Sequence, residues 1–459
     1  MKKILLTGFA LVSMASQAQT WVPQATKLPT SFAPREIAIV NANVVWTTVS
    51  DGRPLSQGGG TYPKTFTKTI DGGTTWTPGN ITGAPAAALV GDIAAFDANT
   101  AWVVTAPSDG GTVGNGVYKT INGGASWAKQ VAYSGVSFAN CVYFWDANNG
   151  VTFGDPPTNA TSKFEVYTTS NGGTTWTANA NAPSAVGGGY GLTGVKAVSG
   201  NTIWFGTTTG KIARSNDRGL TWNIYFSPAL DFGGGAAGGG VDGSSAAMAF
   251  KDTNNGLLIT VDGDVVGGTP SVAMYKSTDG GATWGSAPIV PNGPWYYGDI
   301  TYVPGTPNTF VSTGITNRDA TKTGSSYSTD GGLNWIAIDN GQQRGTVQFL
   351  NSTTGWCGDF ADAAQTKGIF KFSGDLALAT NENAVKSTLK VFPNPAVDVV
   401  NVSSKEEIKA VSIMDLSGKR VKAVQTKGEV NVSSLTKGTY ILQVLYTNGS
   451  VENTKLIKK

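Results

Sequence analysis

The feature that most constrains this chain is a short box that occurs six times. It reads TIDGGTTW (Thr69 to Trp76), TINGGASW (Thr120 to Trp127), SNGGTTW (Ser170 to Trp176), SNDRGLTW (Ser215 to Trp222), STDGGATW (Ser277 to Trp284) and STDGGLNW (Ser328 to Trp335). Each copy sets a hydroxyl residue, then Asp or Asn, then glycine, just ahead of a Trp. That is the chemistry of a tight turn between two strands. Gly supplies positive φ, and Asp or Asn folds its side chain onto nearby backbone N–H groups. Successive box tryptophans lie 51, 49, 46, 62 and 51 positions apart. A period near 50 in strand-rich sequence implies a propeller or solenoid.

Before each box runs the same grammar of apolar strand, short turn, second strand, longer polar loop and third strand. Module two reads DIAAFDANT, AWVVTAPSDGGTVGNG, VYKTINGG and ASWAKQ, and module three repeats it. The alternation predicts a four-stranded antiparallel blade per module. A seventh module, residues 346 to 375, supplies three strands and no Trp-led fourth. Thr20-Trp21-Val22 matches that missing strand, so the two ends of the repeat are expected to close a seven-bladed ring. The boxes resemble the Asp-box (BNR) repeat. That resemblance implies the Asp-box β-propellers, which include sialidases, xyloglucanases, sortilin-type receptors and photosystem II assembly factor-like proteins. Even spacing without inserted domains is most similar to the last group.

The N-terminus carries Lys2 and Lys3, an apolar run from Ile4 to Val12 and small residues up to Ala18, which predicts a signal peptide over 1–18. The propeller is expected over 19–375 and a linker over 376–387. After it, KVFPNPAVDVVNVSS, VSIMDLSGKRV and VNVSSLTKGTYILQVL alternate as a small Ig-like β-sandwich over 388–459. Phe392-Pro393-Asn394-Pro395, Asp415 to Gly418, Gly438-Thr439-Tyr440 and Lys455 to Lys459 resemble the type A C-terminal sorting domain of the Bacteroidetes type IX secretion system. The resemblance implies partnership with that machinery, passage across the outer membrane, and a cell-surface or released protein. No later run has the roughly 20 apolar residues of a membrane span.

Composition excludes several chemistries. There is no histidine, so Ser-His-Asp and Cys-His nucleophile systems, imidazole bases and His-containing zinc sites are ruled out. Cys141 and Cys357 fall in modules three and seven, too far apart in a ring to bridge, so both are expected as buried thiols. The leader and the sorting region hold the basic excess. The propeller is left mildly acidic, which argues against nucleic acid or anionic lipid as partner.

Candidate sites fall in the loops opposite the boxes, where related propellers meet ligands. Asp51, Asp109, Asp155, Asp262 with Asp264, Asp319, and Asp359 with Asp362 recur there. Converging carboxylates suit sugar hydroxyls or a hard cation such as Ca²⁺, although Asp is also an ordinary turn former. Trp295-Tyr296-Tyr297, with Tyr190 and Phe232 in similar connections, read either as exposed rings for stacking or as packing over the ring axis. The sialidase pattern is poorly met, since Pro34-Arg35-Glu36-Ile37 is only an echo of its Arg-Ile-Pro motif. The leading expectation is a non-catalytic module binding a glycan or a surface protein. The alternative is a glycoside hydrolase using Asp155 and Asp359, each following Gly at a strand end.

Overall fold

The computed structural model describes residues 19–53, 55–58, 63–86, 88–107, 114–131, 133, 137–157, 163–185, 189–232, 244–263, 270–315, 322–377, 389–415, 419–424, 428–447 and 451–459. The expected signal peptide therefore lies outside the described residues, as does most of the expected linker. By internal contacts the chain divides into two compact units, Met1–Thr380 and Asn381–Lys459.

The boxes set the pattern of the first unit. Thr69 Oγ1 accepts from Gly73 N at 2.8 Å, while Asp71 Oδ1 accepts from Thr75 N at 2.8 Å and Oδ2 from the Thr75 hydroxyl at 2.6 Å. The hydroxyl-to-glycine bond recurs at 2.8–2.9 Å at all six turns, the acceptor at the third being Thr169, one residue ahead of Ser170. Two successive left-handed residues close the turn, Gly72 at φ 69° and Gly73 at φ 91°, a conformation that costs glycine nothing. In the fourth box Arg218 takes the first of these positions at φ 59°.

Five of the six boxes join the third and fourth strands of an antiparallel sheet, and the fifth follows a third strand. Blade one runs Phe32–Ile39, Val45–Asp51, Thr65–Thr69 and Thr77–Asn80 in spatial order. Seven such sheets follow one another among the described residues of this unit. Each first strand touches the next, and that of blade seven, Val347–Asn351, returns to Phe32–Ile39, so the ring closes. Closure uses the N-terminus as expected. Thr20–Ala25 pairs with Gly368–Ser373 and sets Trp21 opposite Phe372. Trp21 is buried between Phe349 and Phe372, and its indole N–H donates to Ser325 Oγ of blade six at 2.8 Å.

Three details depart from expectation or refine it. Blade five has only three strands, Ser245–Phe250, Gly256–Asp262 and Ser271–Ser277, rather than four. Pro288 and Pro291 lack the N–H groups a ladder needs, and only one bridge, Met274 to Ile289, survives. Leu376, placed in the linker by sequence, is buried in the core of blade seven and donates its N–H to Ser352 O. Cys141 and Cys357 are free and buried, as their separation predicts.

Neighbouring blades are joined by a device that the boxes alone do not reveal. The second strand carries Trp46, Trp102, Trp204 or Trp356, and the residue opposite on the third strand is Lys68, Lys119, Arg214 or Lys371. Each cation lies 4.4 to 5.8 Å from the indole centroid. Each then donates to a backbone carbonyl of the next blade: Ala98 at 2.9 Å, Gly172 at 2.7 Å, Asp279 at 2.8 Å and Gly72 at 2.9 Å. The indole N–H of Trp102 reaches Gly172 O, and that of Trp204 reaches Gly280 O. Trp102 also stacks on Phe144, and Trp204 on Phe250, in the following blade.

The second unit is a small β-sandwich. One sheet holds Lys390–Phe392, Val399–Ser403 and Gly428–Asn431, and the other Arg420–Val424, Ile408–Met414, Gly438–Tyr446 and Val451–Lys458. Alternate residues Val400, Val402, Val411, Ile413, Leu442 and Val444 face inward and form its core.

Because Trp21 supplies both packing and a blade-to-blade hydrogen bond, Trp21→Ala is expected to destabilise the propeller by about 3–5 kcal/mol, read by urea unfolding.

Candidate functional site

The loop carboxylates are engaged one by one with their own neighbours. Asp155 follows Gly150–Gly154, the second strand of blade three, and its Oδ1 accepts from Asn140 Nδ2 at 2.7 Å and from Gly191 N at 2.9 Å. It thereby ties blade three to the entry of blade four. Burial pushes its carboxyl up to about 7, against the pull of those two donors. Asp359 is buried in blade seven, with Oδ2 paired to Lys367 Nζ at 2.9 Å and Oδ1 accepting from Phe360 N at 2.6 Å. The two aspartates stand in blades three and seven and share no partner.

The remaining candidates scatter similarly. Asp362 Oδ1 and Oδ2 accept from Thr366 N and Oγ1 at 2.8 and 2.5 Å, which is a turn rather than a pocket. The Thr366 hydroxyl holds its carboxyl below the ordinary range. Asp51 is buried against Arg53. Asp262 ends the second strand of blade five, with Oδ1 buried and without a hydrogen bond among the described residues, and burial raises its carboxyl. Asp109, Asp264 and Asp319 lie outside the described residues. Among the described residues no group of three or more carboxylates or thiols is placed to hold a metal ion.

Of the two readings of the aromatic run, the described rings follow the packed one. Tyr296 and Tyr297 are buried, not exposed, and Trp295 is half-buried edge-on to Tyr297. Gly314 and Gly324 leave room for the Tyr296 ring, whose hydroxyl donates to Asn340 Oδ1 at 2.7 Å. Phe232 is likewise buried, packed on Gly206. Tyr190 remains exposed. So does Phe226, which ends the fourth strand of blade four, Asn223–Phe226, away from its box.

Sequence reasoning missed a charged cluster on the first strands. In blade four, Gly191 pairs with Thr207 and the next pairing is Lys196 with Phe205, so the intervening residues bulge out of the ladder. Lys196 Nζ meets Asp92 Oδ1 of blade two at 2.5 Å, and Asp92 Oδ2 also accepts from Val142 N of blade three at 2.9 Å. Arg35 of blade one donates to Gly91 O at 2.6 Å and, from the bulge, to Thr193 O at 3.0 Å. The Glu36 carboxylate packs on Gly194, where any Cβ would overlap it. Asp299 of blade six repeats the Asp92 device, accepting from Val347 N of blade seven at 2.9 Å. One signal was available, since Gly-Asp-Ile recurs at 91–93 and 298–300.

A model of the secretion system C-terminal sorting domain matches residues 390–459. The chain is a β-propeller with a type IX sorting tail. That tail marks it for secretion across the outer membrane, to the cell surface or beyond. No curated protein matches the chain. Among solved structures it is similar to an ancestral GH74 enzyme at 13% identity and TM-score 0.50, covering 96% of this chain and 64% of that one. It is also similar to YCF48 bound to D1 peptide (16%, TM-score 0.49, covering 79% and 98%) and to YCF48 from Cyanidioschyzon merolae (15%, TM-score 0.47, covering 78% and 99%). At these identities the likeness is one of fold. No helix among the described residues is long and apolar enough to cross a membrane.

The cluster gives the propeller a pH dependence. Desolvation pushes the Glu36 carboxyl up to about 8, with Arg35 and Lys196 opposing and Asp92 and Asp299 reinforcing, while in the unfolded chain it ionises near 4.5. Between those values the folded form holds the extra proton, so this contribution to stability is full below pH 4.5 and is lost as pH rises through 8. Glu36→Gln is expected to flatten the fall, raising Tm relative to the parent more at pH 9 than at pH 5.

Proposed function

We propose that the propeller is a non-catalytic binding module, displayed or released by type IX secretion, that holds a glycan on its loop face at blades three and four. The observation that carries this is the pair of solvent-facing rings Tyr190 and Phe226, 38% and 76% exposed, beside a shallow cleft. Ser184, Gly189 and Thr209 line that cleft, with Thr207 and Lys211 buried beneath it. Flat rings beside the accessible Ser184 and Thr209 hydroxyls suit sugar faces and their hydroxyl edges. A protein ligand on the same face is the competing form of this reading.

The second reading is a glycoside hydrolase, and Asp155 favours it. A carboxyl lifted to about 7 suits a general acid at neutral pH. Its difficulty is the second carboxylate, because Asp359 is committed to Lys367 in another blade.

Affinity electrophoresis and a reducing-end assay on the full chain, across plant, algal and host polysaccharides, separate these readings. The expected outcome is retardation by at least one polysaccharide, weakened about tenfold or more in Phe226→Ala or Tyr190→Ala, with no new reducing ends. Reducing ends that vanish in Asp155→Asn or Asp359→Asn would instead establish a hydrolase. Retardation indifferent to both ring substitutions would remove the loop-face site.

A further inference from the structure

The two sheets of the second unit differ in what they turn outward. Residues that alternate with the core positions Val411, Ile413, Leu442 and Val444 lie on the outer side of the same strands, which in an antiparallel sandwich is ordinarily polar. The sheet of Lys390–Phe392, Val399–Ser403 and Gly428–Asn431 keeps that rule at its centre. There Asn401 stands between Glu429 and Phe392, a single exposed ring beside polar neighbours.

The other sheet breaks the rule. Its pairing sets Arg420 opposite Met414, Met414 opposite Ile441 and Ile441 opposite Lys455, so one outer row crosses all four strands. Ile457, two residues beyond Lys455 on the last strand, extends that row diagonally past Ile441. Met414, Ile441 and Ile457 are each only partly buried, and Arg420 and Lys455 are exposed. The result is an aliphatic strip with a cation at either end. The edge beside Ile457 is closed to strand addition. Asn394 Nδ2 donates to Lys455 O at 2.7 Å, its Oδ1 accepts from Ile457 N at 2.9 Å, and Ala396 N donates to Ile457 O at 2.8 Å. A partner at this end therefore meets side chains rather than free backbone.

We propose that this strip is the face by which the tail docks on the secretion machinery, against an apolar surface flanked by carboxylates. Two observations specify the occupant. Residues 390–459 are the part of the chain that matches the secretion sorting domain. They hold eleven basic against six acidic residues, which suits an anionic receptor. An apolar centre with a charged rim is also how specific protein interfaces are built. The face belongs to the tail alone, so it stands independently of the glycan reading of the propeller.

Secretion of the full chain from cells carrying the type IX machinery tests this, read as the fraction outside the outer membrane against that held in the periplasm. Met414→Asn with Ile441→Asn is expected to lower the secreted fraction at least tenfold. Arg420→Glu with Lys455→Glu, both at exposed positions, is expected to lower it severalfold with Tm unchanged. Phe392→Ser, on the other sheet, should secrete normally. The proposal is overturned if the charge pair secretes normally, or if Phe392→Ser alone is impaired. It is equally overturned if gel filtration shows a dimer of the parent that the aliphatic pair separates, since the strip then joins two copies of the chain. Deleting residues 390–459 distinguishes the two levels. Secretion that survives the deletion removes the tail's sorting role itself, whereas secretion lost there but intact in both strip variants removes only this face. Should the aliphatic pair fail to fold, the charge pair decides alone.

Discussion

At four of the seven blade junctions a positive charge lying on an indole face locks one blade to the next. A propeller blade packs its neighbours with flat faces, and apolar burial by itself leaves such faces free to slide. A cation–π contact is worth on the order of 0.5–2 kcal/mol depending on desolvation. Here the same cation also satisfies a carbonyl of the next blade, at 2.7 to 2.9 Å in four places. The contact therefore fixes register as well as distance. It also explains why the box must hold glycine where it does, since a side chain on Gly280 or Gly123 would meet the incoming Arg214 or Lys68. The repeat seen in the sequence is thus half of a joint. Its other half is the Trp and the basic residue paired on the second and third strands of the preceding blade.

At the centre the same problem is solved with opposite charge. Asp92 and Asp299 each accept the first-strand N–H of the following blade, and Lys196 neutralises Asp92 across the ring. The bulge in blade four brings Thr193 and Gly194 against Arg35 and Glu36. Removing one member of such a group leaves the others desolvated and unpaired, which costs more than the pair gains. These carboxylates are therefore committed to architecture.

Much of this was legible in the sequence. Period, box chemistry and the Trp21 strand specified seven blades and their closure, because turn and ladder are local and each repeat confirms the last. The fourth strand of blade five failed because two prolines outweighed the module grammar. Tyr296 and Tyr297 were ambiguous for a different reason. Their burial depends on Gly314 and Gly324, which lie one to two strands away and carry no signal of their own. Asp155 and Asp359 look alike as Gly-Asp at a strand end, yet one meets an amide and a backbone N–H while the other meets a lysine. No spacing rule distinguishes them, since Asn140 lies on the first strand of its module and Lys367 in the loop just before the third strand of its own.

The absence of histidine gives the buried acids further weight. In a chain without imidazole, ordinary side chains titrate below about 5 or above about 9. Apart from the α-amino group, side-chain responses of the folded protein between those limits come chiefly from displaced groups. Three of them, Glu36, Asp155 and Asp299, are pushed up to about 8, 7 and 6, and desolvation is the leading cause in each. All three sit where one blade meets another: Asp155 on Gly191, Asp299 on Val347, Glu36 on Gly194. Ionisation at these points sets charge into junctions rather than into blade interiors. Alkaline conditions should therefore loosen the ring between blades while leaving each sheet's own ladder intact.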